Sequence, residues 1–311
     1  MMKARKLDRA VFLKELSELR KKNVGEYFEN FTRHHRPWLH ELAQRYKERG
    51  EFPVMPMTLL PSYYTNAQDK EIAVCAGLLL NDGDKTLEHV QAFRKMIGDS
   101  PWKWFETRSF VSLSLGKNQH KRFGGVDGWK IARLFDKLWN ECHILTYEIP
   151  STDVKESFVR PIGIQVELIA KAQQCSYFDV LTYMLEDCCV GNYFYKLRLF
   201  LQILVCSGGF SLGLWDNDPC GLKCPLTSDL RLFLQTWFPN YRTFGSVDDA
   251  IRLFGFERET DFFYAYLGYK ELQKRNPMRC KLYATKYTDW YDGGIKKKPY
   301  QWREIIPEIP F

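Results

Sequence analysis

The chain has 311 residues, 27% of them charged, and a net charge of +7, so it holds enough material for one large domain or two smaller lobes. The longest apolar run, Leu199 to Val205, is broken by Gln202 and falls far short of a bilayer span, so no membrane element is expected. The start, Met1-Met2-Lys3-Ala4-Arg5-Lys6, is basic without the apolar centre of a signal peptide, which leads us to expect a cytoplasmic protein. The nine cysteines lie mostly in apolar segments and suit packed, reduced thiols rather than a disulfide framework. Cys220-x3-Cys224 has no nearby histidine, so no metal and no other cofactor is expected.

Helical periodicity dominates from the first residues onward. Residues 8–21 and 26–31 predict helices, and Trp38 to Arg49 a third, with Leu39, Leu42, Ala43 and Tyr46 on one face. A proline-bounded connection, 52–57, precedes helices at Asp69 to Leu80 and Thr86 to Ile97. Asn66 is placed to cap the first of these, and Gly98-Asp99-Ser100-Pro101 is a stop followed by a new start. Further helices are predicted at Trp129 to Leu145, Pro161 to Gln174, Ser176 to Cys188 and Asn192 to Cys206. After a glycine- and aspartate-rich loop, 207–225, come helices near 228–237, 247–254 and 260–274. Strand signals are few, so the fold class is all-α. The tail from Cys280 to Phe311, rich in Tyr, Trp, Pro and Lys, reads as an irregular segment packed on the body. The organisation predicted is an N-terminal helical extension (1–50), a helical domain (51–278) and that tail (279–311).

One helix carries an unusual lysine. Lys196 shares its helix face with Leu199, Phe200 and Ile203, and the opposite side is also mostly apolar. An amine buried there loses hydration, which lowers its pKa and favours the neutral form that Schiff-base chemistry requires. The alternative is a lysine whose stem packs while its amine reaches water. Asp229, in the first turn of the next long helix after Thr227-Ser228, can serve a site or simply complement the helix dipole, with Thr227 or Ser228 as cap.

Three stretches together resemble an uncharacterised bacterial family, a domain of unknown function. They are Pro61-Ser62-Tyr63-Tyr64-Thr65-Asn66-Ala67-Gln68-Asp69-Lys70-Glu71-Ile72-Ala73; Tyr195-Lys196-Leu197-Arg198-Leu199-Phe200-Leu201 with Leu212-Gly213-Leu214-Trp215; and Pro225-Leu226-Thr227-Ser228-Asp229 with Asp261 to Gly268. That family is itself distantly similar to the helix-hairpin-helix DNA glycosylases, especially the archaeal 8-oxoguanine glycosylases. The resemblance implies a two-lobed helical glycosylase-like fold and a DNA partner. It also implies a catalytic pair, with Lys196 attacking the sugar C1′ and Asp229 steadying the developing charge. The chain departs from the pattern at Thr227, which stands where the aspartate is expected. Either Asp229 has taken over that role or the glycosylase chemistry is lost, because a threonine cannot stabilise a cationic sugar as a carboxylate does.

Candidate binding residues follow. Tyr63, Tyr64 and Trp215 are candidates for stacking on an extruded base. The segment Gly116-Lys117-Asn118-Gln119-His120-Lys121-Arg122-Phe123-Gly124-Gly125 combines cationic side chains with small residues, so Lys117, His120, Lys121 and Arg122, together with Arg198, are candidates for contact with a nucleic-acid backbone. The bland reading of that segment is an exposed flexible loop. The expected function is a DNA-binding protein of the base-excision glycosylase/lyase kind. The alternative is a non-catalytic helical module that binds nucleic acid or protein.

Overall fold

A computed structural model of the protein describes residues 37, 39–49, 55–80, 83–145, 157–185, 193–237, 247–252 and 254–275. The helices read at 8–21 and 26–31 and the tail from Cys280 lie outside the described residues. The described residues are mostly helical, with three two-stranded antiparallel ribbons as the only sheet among them.

In chain order the helices begin with α1 (residues 39–49), the short α2 (Pro56–Leu59) and α3 (Ala67–Gly77). Next come α4 (Thr86–Ile97) and α5 (Pro101–Glu106). A ribbon of β1 (Arg122–Phe123) and β2 (Val126–Asp127) leads directly into α6 (Gly128–Cys142). Then follow β3 (His143–Leu145) paired with β4 (Ser157–Val159), α7 (Ile162–Gln173), α8 (Tyr177–Met184) and α9 (Tyr193–Val205). The ribbon of β5 (Ser207–Gly208) and β6 (Ser211–Leu212) precedes α10 (Ser228–Trp237), α11 (Val247–Arg252) and α12 (Asp261–Arg275).

The predicted boundaries hold where local chemistry sets them. The Asn66 side chain accepts from Gln68 N at 2.8 Å and starts α3. Gly98, at φ +76°, stops α4, and Pro101 occupies the first turn of α5. Helix α6 is amphipathic, with Ile131, Leu134, Phe135, Leu138 and Cys142 buried at helical spacing. It ends three residues before its predicted end because His143, Ile144 and Leu145 pair instead with Val159, Phe158 and Ser157.

One contiguous core runs from Leu39 to Tyr266 and draws on residues of every long helix. Residues of α1, in the segment read as an extension, contribute Leu39, Ala43 and Tyr46 to it. The α1 helix is also tied to the C-terminal part of the body. Lys47 pairs with Asp261 (2.7 Å) and Arg49 with Glu271 (3.0 Å), and the His40 ring stacks on Phe256 at 4.0 Å. Gly268 allows this approach, since a Cβ there would lie 2.9 Å from Leu42 Cγ.

Candidate functional site

Helix α3 lies at the centre of the polar chemistry. From Ile72 to Gly77 it is wholly buried, and so are two of its acids, Asp69 and Glu71. Each acid caps another helix. Neither α5 nor α7 has a capping side chain of its own: Ser100 makes no cap bond, and the residue before α7 is Pro161. Asp69 Oδ1 instead accepts from Trp102 N at 2.8 Å. The Glu71 carboxylate accepts from Ile162 N (3.1 Å), Gly163 N (2.8 Å) and the Trp215 indole Nε1 (2.6 Å). It thus satisfies two N–H groups of the first turn of α7, where the helix dipole favours negative charge. Burial pushes the Glu71 carboxyl above its ordinary range, against the pull of the three donors.

The other end of α3 meets Lys196. The Lys196 Nζ donates to Leu78 O at 2.7 Å and to Leu80 O at 2.8 Å, and the residue is only 7% exposed. The carbonyls at a helix C-terminus carry partial negative charge, and the Lys196 amine donates to two of them just past the end of α3. The apolar faces of α9 do bury the lysine as the sequence pattern requires, but the amine itself sits among backbone acceptors rather than hydrocarbon.

Asp229 stands in a different setting. Thr227 Oγ1 accepts from Leu230 N at 2.9 Å and caps α10. The Asp229 side chain is 55% exposed and bonds Lys270 Nζ (2.9 Å) and Tyr266 Oη (3.5 Å), both on α12. Lys196 and Asp229 therefore contact separate elements, α3 and α12, and share no hydrogen-bond partner among these.

The candidate stacking residues are engaged inside the fold. Tyr64 is buried, its hydroxyl donates to Gly98 O at 3.0 Å, and burial pushes its pKa up to about 12. Tyr63 is half-buried beneath the Arg94 guanidinium, 4.5 Å from the ring centroid. Trp215 is buried edge-on against Phe200 (5.4 Å) and Tyr177 (6.2 Å). Gly163 lies on the indole so closely that a Cβ there would be 2.5 Å from the ring. Arg198 holds Asp248 through two bonds (2.8 and 3.0 Å) and donates to Cys224 O at 3.2 Å.

The basic segment is organised rather than loose. Residues Gly116–His120 form a 3-10 turn, and the ribbon that follows has Gly124 (φ +54°) and Gly125 (φ +80°) at its tip, a pair that matches a two-residue hairpin turn. The tip packs on α4, where a Cβ on Gly124 would lie 2.5 Å from His89 O and one on Gly125 would lie 3.1 Å from the His89 ring. Lys117, His120, Lys121 and Arg122 are all exposed. Lys121 lies 5.1 Å from the Phe123 ring centroid, and Arg122 reaches Asp127 at 3.4 Å. At the start of the glycine- and aspartate-rich loop, Ser207-Gly208-Gly209 is structural: Gly208 O accepts the Tyr264 hydroxyl at 2.9 Å, and Gly209 packs against that ring.

Among the described residues no three His, Cys, Asp or Glu side chains converge as a metal site. Burial raises the thiols of Cys75, Cys142, Cys206 and Cys224, which makes them poor nucleophiles. Sequence reasoning missed Glu71, although an acid leading Ile72-Ala73-Val74-Cys75 on a helix was a visible signal. Comparisons of the chain with family models, with curated proteins and with solved structures return no match.

Proposed function

We propose that this chain is a non-catalytic helical module that binds a nucleic-acid backbone through the hairpin Lys121–Asp127 and the turn before it, on a two-lobed scaffold of the helix-hairpin-helix glycosylase kind. The observation that carries the reading is the exposure of Lys117, His120, Lys121 and Arg122 on a hairpin fixed against α4. Cations held on a rigid turn meet phosphates without first losing loop entropy, and phosphate contact needs no base-specific geometry. Two features support the loss of lyase chemistry. The Lys196 amine is engaged by the carbonyls of Leu78 and Leu80, and the Thr227 hydroxyl caps α10 where the glycosylase pattern has a carboxylate.

Fluorescence anisotropy with short labelled DNA tests the reading. Three backbone contacts give a slope of log K against log salt of about −3 for duplex DNA. The triple variant Lys117→Ala, Lys121→Ala, Arg122→Ala should flatten that slope while the fold is kept. Binding that ignores salt rules the surface out. Borohydride trapping on abasic-site DNA should yield no adduct, whereas an adduct that disappears in Lys196→Ala would restore the lyase reading.

A further inference from the structure

We propose that the cleft between the end of α7, the start of α8 and residues 216–223 binds a small organic molecule bearing a single phosphate or carboxylate together with hydrogen-bond donors. The cleft has a volume of about 740 Å³, within the ~300–1,000 Å³ usual for small-molecule sites. Ala170, Leu201 and Leu222 give it apolar lining, and Tyr177 and Phe178 add aromatic surface. Its wall is set in advance. The Tyr177 hydroxyl donates to Asp216 O at 2.9 Å, and the preceding residue, Trp215, is anchored to Leu204 O at 2.8 Å and to Glu71.

Arg198, which lines this cleft, supplies the recognition element. A guanidinium has five N–H donors. Nη1 uses two, on Cys224 O and Asp248 Oδ1, and Nη2 uses one, on Asp248 Oδ2. The Nε hydrogen and the second Nη2 hydrogen have no acceptor among the described residues. These two hydrogens share one edge of the group and form the fork that takes both oxygens of a phosphate or carboxylate. Asp248 fixes the plane of the fork, so little side-chain entropy is lost on binding.

The charge of the lining limits the ligand. The lining carries Lys171, Arg198 and Lys223 beside Glu167, Asp216 and Asp218, while Asp248 and Glu259 pair Arg198 and Lys223 from outside it. A polyanion would meet three carboxylates, whereas one anionic group on a molecule with hydroxyl or amino donors suits both sets. No residue of the basic hairpin lines this cleft.

Cys175 lines the cleft and is exposed, so its alkylation reports occupancy. Peptide-resolved alkylation would be followed with adenosine monophosphate as the phosphate probe, 4-hydroxybenzoate as the carboxylate probe and adenosine as the uncharged control. For a Kd of about 0.1 mM, a probe at about 1 mM slows alkylation roughly tenfold. The probe that protects identifies the anionic group. Arg198→Lys, which lacks the fork, should reduce the protection to less than about twofold. Because that change also disturbs Asp248, Cys175→Trp, which fills the cleft with Arg198 intact, should abolish binding of the same probe in calorimetry. Failure of both probes to protect overturns the site, as does equal protection by adenosine or undiminished binding in Cys175→Trp.

Discussion

The surroundings of α3 and the hairpin after β1 both concentrate charge, yet they use it in opposite ways. Around α3 the charged groups are buried, and each is matched to a helix end: Asp69 to α5, Glu71 to α7, and Lys196 to the carbonyls that end α3 itself. At the hairpin the cations face water, and the buried part is glycine backbone lying on His89. The contrast separates two meanings of a conspicuous charge. A charge surrounded by backbone donors or acceptors completes the fold, while a charge held outward on a turn stays solvated and adds little to folding.

The sharpest way to break the comparison is to remove a buried group. Glu71→Ala leaves two backbone donors and an indole N–H without their acceptor, each costing about 1–3 kcal/mol when buried, so the loss should reach about 4 kcal/mol. Lys196→Met keeps the stem but deprives two carbonyls of their donor, for a loss of about 2–3 kcal/mol by the same reasoning. Urea unfolding followed by tryptophan fluorescence measures both. A near-neutral Lys196→Met would mean that the ammonium contributes nothing to α3 and would reopen a chemical role for it.

A third substitution tests packing rather than charge. Gly163→Ala places a methyl 2.5 Å from the Trp215 ring, so the indole must shift away from Glu71. Overpacking of this kind costs about 1–3 kcal/mol. The near-ultraviolet dichroism of tryptophan should change with it. The triple hairpin variant provides the opposite case: exposed cations contribute little to folding, so its stability should stay within about 0.5 kcal/mol of wild type while the salt dependence of DNA binding falls.

Much of the helical scheme was legible in the sequence because its signals are local. Asn66, Gly98 and Pro101 set boundaries by their own backbone chemistry, and the spacing of Ile131, Leu134, Phe135 and Leu138 marks the buried face of α6. Burial of Lys196 was legible too, from the apolar residues on both sides of α9. Its partner was not, because Leu78 O and Leu80 O lie more than a hundred residues earlier and belong to the backbone. Tyr64 and Trp215 illustrate the same limit. An aromatic residue near a motif has one composition whether it stacks on a ligand or fills a core, and only Gly98 O and Glu71 decide the matter here. The strand at His143–Leu145 was read as helix because its pairing partner is remote in sequence. The hairpin at Gly124-Gly125 was visible as composition, but its anchoring on His89 was not.

One further effect concerns Tyr64 and reads the interior through pH. Burial holds its hydroxyl protonated up to about 12, while in the unfolded chain the group ionises near 10. The folded state therefore binds more protons across that interval, so stability should fall as pH rises from 10 towards 12 and be unaffected by this group below 10. Tyr64→Phe removes this group's share of the dependence, and with it the hydrogen bond to Gly98 O. The variant should be slightly less stable than wild type at neutral pH, by about 1 kcal/mol for one hydrogen bond, and should lose less of its stability on going to high pH. Chemical unfolding at a series of alkaline pH values, paired with absorbance of the phenolate, separates the two contributions. Parallel pH profiles for the two proteins would mean that the Tyr64 ring reaches solvent, which would return it to the set of side chains able to stack on a ligand.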